Sequence, residues 1–153
     1  MGKDAIRYFR KILRRFERLN QLMNTHCCQS VTVAQCHVLL EIEELTEATT
    51  IQLAKNLKLD KSTLSRTVDG LVKSGLVGRK AFPSDRRYTN LILTELGVKT
   101  CESIHVANDT LYEMVLQKLP QVARDSMIEH LESLVEAMED WYQTSKADGG
   151  CCK

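Results

Sequence analysis

Residues 25–37, THCCQSVTVAQCH, hold three of the chain's six cysteines and two of its four histidines. Cys27, Cys28 and Cys36 form a thiol-rich set, and His37 directly follows Cys36. Farther along, Cys101 and His105 stand one helical turn apart, at i and i+4. Sulfur ligands select soft acceptors, so Cys27, Cys28, Cys36 and Cys101 suit Cu(I), Zn or a trivalent arsenical, arsenic(III), held by three thiolates. The same thiols could sense an oxidant if one has a depressed pKa and a partner within disulfide reach. Packing is the competing reading, since free cysteine is among the most buried residue types. Adjacent Cys27 and Cys28 resist it, because helix neighbours cannot share one buried face. His26 and His130 read as solvated. No resident cofactor is required, and a soft metal or metalloid would act as an effector. A Cys/His pair can mimic a nucleophile and its base, but no third orienting group or oxyanion motif accompanies it, so the chain reads as no enzyme.

A second set of residues suits an anionic partner. Residues 55–87 carry nine Lys/Arg against three acids, a balance of +6, inside a chain whose net charge is only +1. Residues 1–18 stand at +5 and residues 102–140 at −7. Within the basic middle, KSTLSR offers Lys61, Ser62, Thr63, Ser65 and Arg66 at the start of a helix. Short hydroxyls and Lys there can meet phosphates, while Arg can pair bidentately with guanine in a major groove. PSDRR places Asp85, Arg86 and Arg87 in a turn, where arginine can enter the negative potential of a narrow minor groove. The bland alternative is a capped surface helix followed by a solvated turn.

The elements that position these residues are mostly helices. Ile6, Phe9, Leu13, Phe16, Leu19 and Met23 recur every three or four residues and mark one face of a first helix. VTVAQCHVLLEIEEL predicts a second, with Thr32 as N-cap; IQLAKNLKL a third, started by Thr49 or Thr50; and KSTLSRTVDGLVKS a fourth, capped by Asp60 and ended at Gly75. The third and fourth form a helix-turn-helix around Leu53, Leu57, Leu59, Leu64, Val68 and Leu71, with small Ala54 where they cross. LVGRKAF and YTNLILT predict a hairpin, or wing, around the PSDRR turn. Thr94 caps a long fifth helix, and Pro120 opens a sixth whose Met127, Leu131, Leu134, Met138 and Trp141 form a seam for packing on other helices.

Hydrophobic content of 43% and charged content of 27% are globular values, which excludes a disordered chain. No apolar run nears the ~20 residues that span a bilayer, and MGKDAIRYFRK lacks a signal-peptide core, so a cytoplasmic location and no membrane partner are expected. Reduced thiols follow from that location.

The segment LAKNLKLDKSTLSRTVDGLVKSGLVGRKAFPSDRRYTNLILTELG, with the D-x-R of the wing (Asp85, Arg87) and the LTxxG entry to the fifth helix (Leu93, Thr94, Gly97), resembles the multiple-antibiotic-resistance regulator (MarR) family of winged-helix transcription factors. The order of elements is similar over nearly the whole chain. The resemblance implies a mainly α fold: a winged helix-turn-helix with a two-stranded wing and long N- and C-terminal dimerisation helices. It divides the chain into a dimerisation helix at 1–30, a DNA-binding domain at 31–94, dimerisation helices at 95–145 and a flexible tail at 146–153 that holds Cys151 and Cys152. It further implies a homodimer reading a palindromic operator in double-stranded DNA, with Asp85 bracing the wing and Arg87 in the minor groove. Such regulators usually repress a nearby gene and release DNA when a ligand binds or a cysteine is modified. Zinc-sensing members bind the metal near the meeting of these helices, and Gln35-Cys36-His37 resembles their acid-then-histidine position. This chain has only His105 where they carry a richer histidine cluster, which shifts weight from zinc toward softer ions. Two other expectations stand beside this one. The same regulator could respond to a small aromatic or phenolic ligand, or the winged helix could dock protein rather than DNA.

Overall fold

The computed structural model describes residues 2–27, 31–81 and 89–147. Cys28, Asp85, Arg86, Arg87, Cys151 and Cys152 therefore lie outside the described residues, as does the side chain of Cys27. The described elements run α1 (Lys3–Cys27), α2 (Val33–Leu45), β1 (Glu47–Thr49), α3 (Thr50–Asn56), α4 (Lys61–Lys73), β2 (Val77–Ala81), β3 (Thr89–Leu93), α5 (Glu95–Leu116) and α6 (Gln121–Ala147). The chain falls into two compact units, Met1–Leu111 and Tyr112–Lys153.

Local chemistry sets the helix starts. Thr32 opens α2 with a capping box: its hydroxyl accepts from the Gln35 amide (3.2 Å), and the Gln35 side chain accepts from the Thr32 amide (3.0 Å). Thr49 and Gln52 repeat the arrangement at α3. Each such threonine cap stabilises its helix by about 1 kcal/mol. Lys58, between α3 and α4, takes a left-handed backbone at φ 53°, which makes the sharp turn of the helix-turn-helix at some cost in strain. α4 ends in a Schellman motif, with Gly75 at φ 74°, its amide on the Val72 carbonyl and the Leu76 amide on the Leu71 carbonyl.

The sheet is antiparallel in the order β1-β3-β2, with Ala48 opposite Leu91 and Val77 opposite Leu93. The hairpin of β2 and β3 matches the expected wing, and β1 adds a third strand where two were expected. Three residues, Glu47–Thr49, are too short to show alternation, and they gain strand geometry only by pairing with β3.

The core lies between α2, α4 and the sheet. Val38, Leu39 and Ile42 of α2, Leu53 of α3, Leu64, Val68 and Leu71 of α4, and Leu91 of β3 are buried, with Leu57, Leu59 and Ala54 packed at the margin. α5 joins this core through Cys101 and Ile104. Its start is locked by Thr94, whose hydroxyl donates to the Gly75 carbonyl (2.6 Å) and accepts from the Gly97 amide (3.0 Å). Gly97 sits so close to the chain that a Cβ there would lie 2.1 Å from the Leu76 carbonyl oxygen. By contrast, no described side chain of α1 or α6 is buried. Among the described residues, no helix is long and apolar enough to cross a membrane.

Candidate nucleic-acid interface

Helix α4 is pinned on one side and open on the other. Leu64, Val68 and Leu71 face the core, which leaves Lys61, Ser62, Ser65 and Arg66 exposed and Thr63 half-buried. Asp60 organises its N-terminus: the carboxylate accepts from the Ser62 amide (3.0 Å), the Thr63 amide (2.9 Å) and the Ser62 hydroxyl (2.6 Å). Hydrogen bonds from the side chains of Ser62 and Thr63, then from the Thr63 backbone, hold the Asp60 carboxyl well below the usual carboxylate range. Ser62 therefore spends its hydroxyl proton on the cap, and toward a phosphate-bearing partner it offers lone pairs rather than a donor. Arg66 lies back along the helix, with Nε on the Ser62 carbonyl at 3.3 Å, and its terminal nitrogens stay available at the exposed face.

The wing is tied to this helix. Arg79 of β2 donates to Asp69 of α4 at 2.6 Å, and both side chains are more than half exposed. An exposed pair of this kind stabilises little, but it fixes the first wing strand against the last turns of α4. Arg79 and exposed Lys80 extend the basic surface, and the sequence reading did not single them out. Their signal was present in the run Val77–Ala81, where a half-exposed edge carries two consecutive cations. At the other end, Thr50, Ile51, Lys61, Leu64 and Ser65 line a cleft of about 350 Å³ between α3 and α4.

The described effector candidates, Cys36, His37, Cys101 and His105, are dispersed by comparison. Cys36 is buried in the core while its neighbour His37 is exposed, because consecutive helical residues point about 100° apart. Cys101 is fully buried, and burial followed by the nearby Glu43 charge pushes its thiol up to about 11. His105 does not turn inward with Cys101; its Nε2 meets Glu43 Oε2 at 2.6 Å at a half-exposed site joining α5 to α2. Glu43 was not among the expected residues, since its role depends on a partner 62 positions away. Among the described residues, no three His, Cys, Asp or Glu side chains are grouped closely enough to hold a metal ion.

A core-packed helix-turn-helix with a basic open face and a braced wing is matched in known proteins. Residues 31–89 fit the MarR family model. Over this winged-helix segment the chain is similar to the MarR family. It is 33% identical over 90 residues to the multiple antibiotic resistance protein MarR of Escherichia coli K12, a match covering 58% of this chain and 62% of that relative's length. A MarR transcriptional regulator of Methanosarcina mazei superposes with a TM-score of 0.77 at 22% identity, covering 88% of this chain and 98% of that one. A mutant Escherichia coli MarR solved in complex with operator DNA gives a TM-score of 0.70 at 28% identity, covering 86% and 95%. In the MarR family frame, α4 is the second helix of the helix-turn-helix, and β2 with β3 is the wing.

Proposed function

We propose that the chain is a homodimeric, sequence-specific DNA-binding transcriptional regulator that represses by occupying a palindromic operator. The observation that carries this is α4: its apolar face is buried, and its open face presents Lys61, Ser65 and Arg66 beside a capped N-terminus. A helix so held can enter the major groove, with Arg66 reading a guanine and Lys61 and the Ser65 hydroxyl positioning on phosphates. Asp85, Arg86 and Arg87 then serve the wing, Asp85 by bracing it and the arginines by reaching the minor groove. The relative solved on operator DNA supports a DNA partner for this chain. The exposed apolar faces of α1 and α6 supply the dimer contact.

Release follows from thiol chemistry in this reading. Cys27, Cys28 and Cys36 take up arsenic(III), Zn or Cu(I), or are oxidised, with His37, Cys101 and His105 as further candidates. An adduct on Cys36 does not fit a close-packed core, so reaction there displaces α2 and with it the helix-turn-helix. A second reading is favoured by the cleft lined by Ile51, Leu64 and Lys61, whose volume lies in the small-ligand range. A phenolic ligand there would pair with Lys61 and cover the DNA-facing side of α4.

Fluorescence anisotropy of the reduced protein on DNA upstream of its own gene tests both. Release near one equivalent of arsenic(III), Zn or Cu(I), or on peroxide treatment, lost when Cys27, Cys28 and Cys36 become Ser, supports the thiol route. Release by a phenol, lost in Lys61→Ala, supports the cleft. Absence of any tight, sequence-dependent binding overturns the regulator itself.

A further inference from the structure

The charge asymmetry outside the winged helix has a geometric form. In α1, Lys3, Arg7, Lys11, Arg14 and Arg18 are all exposed. At 3.6 residues per turn they fall within about 80° of arc, on a stripe about 22 Å long. In α6, Asp125, Glu129, Glu132, Glu136 and Asp140 are all exposed too. They also fall within about 80° of arc and span about 22 Å. Read along α1 the spacings are four, four, three and four, and read backwards along α6, from Asp140 to Asp125, they are again four, four, three and four. Arg7 also has Asp4 at 3.6 Å, and Asp125 accepts from Gln121 at 2.7 Å. Neither contact covers its stripe.

Each charged stripe lies on the opposite side of its helix from the apolar one. Phe9, Leu13 and Phe16 of α1, and Leu131, Leu134 and Met138 of α6, point about 120–180° away from the midline of the charges at that helical periodicity. A dimer closed through the apolar faces leaves both charged stripes outside.

We propose that the basic stripe of α1 docks antiparallel on the acidic stripe of α6 in another copy of this chain, joining dimers into larger assemblies. The register pairs Lys3 with Asp140, Arg7 with Glu136, Lys11 with Glu132, Arg14 with Glu129 and Arg18 with Asp125. The antiparallel sense also aligns the helix dipoles favourably. An exposed ion pair alone stabilises little, whereas five in register form a network. The second copy is the occupant because it carries the complement in sign, length and spacing. A contact between two different surfaces need not close after one step, so assembly beyond a dimer follows. The apolar and charged contacts then respond oppositely to salt. The proposal rests on the homodimer reading only for the size of the associating unit.

Sedimentation velocity of the full, reduced chain tests it, at about 0.01 M salt, where the screening length is about 30 Å, and at about 1 M, where it is about 3 Å. The expected result is species larger than a dimer at low salt and the dimer at high salt. Lys11→Glu with Arg14→Glu abolishes the larger species, and so does Glu129→Lys with Glu132→Lys. An equimolar mixture of the two variants restores them, and circular dichroism reports that both remain helical. Equal sizes at the two salts, or reversal variants assembling like the parent, overturn the proposal. A monomer at high salt removes the homodimer reading instead, while the low-salt and mixing results still decide the charged contact.

Discussion

The winged-helix region and the two terminal helices are built on opposite principles. Between Cys36 and Ile104 the chain supplies its whole described buried core, closed by capping boxes, a Schellman turn and a sheet. α1 and α6, at 25 and 27 residues, place no described side chain in that core, and Phe16 and Trp141 stay 58% and 64% exposed. The first region buries most of its apolar residues against one another, with Ile51 and Leu96 left exposed. The second displays a row of exposed apolar residues on each helix, which supports the proposed homodimer. In the proposed homodimer, stability of the winged helix and affinity between copies lie in different residues.

The sharpest test of that division is Leu39→Ala, which empties the centre of the core and costs about 2–5 kcal/mol in urea unfolding. Its effect is expected to be the same at every protein concentration. Gly97→Ala comes next. The new methyl meets the Leu76 carbonyl oxygen rather than a movable side chain, so either the α4–β2 turn or the start of α5 must shift. About 3 kcal/mol, read from the same denaturation, is expected.

Phe16→Asp acts on the other side of the comparison. Loss of about 2 kcal/mol of apolar burial per protomer weakens the dimer and leaves the winged-helix unit folded. Dilution monitored by light scattering reports it, and a concentration-independent loss of the whole fold would break the comparison. Arg66→Ala is silent in both assays and costs about 1–3 kcal/mol of operator affinity, concentrated at one base position.

The smallest effect concerns Cys101. With its thiol pushed up to about 11, little thiolate exists near neutrality, so alkylation by iodoacetamide in the folded protein is expected to be slow. The sign follows from linkage: the native state favours the neutral thiol, so this contribution is full below the ordinary thiol pKa and is lost as pH rises toward about 11. Rapid labelling of Cys101 at neutral pH would show that α5 opens away from α2.

Much of this was legible in the residues, because helix starts, turns and stripes are local. Thr32, Thr49 and Asp60 declare their caps within three residues, Gly75 its left-handed turn, and the repeating apolar residues of α1 and α6 their faces, all without reference to the rest of the chain. The ordered pair of helices followed by a hairpin was enough to resemble the family whose model matches residues 31–89. The remainder depended on partners distant in sequence. β1 exists through β3, more than forty positions away, and Arg79 finds its role in Asp69 on another element. The spacing of Cys101 and His105 left them as a candidate pair. Only the packing of α5 on α2 sent the thiol into the core, raised it through burial and Glu43, and left the imidazole on that carboxylate at the surface. Periodicity states which residues share a helix face, while burial and titration are set by what the fold brings against that face.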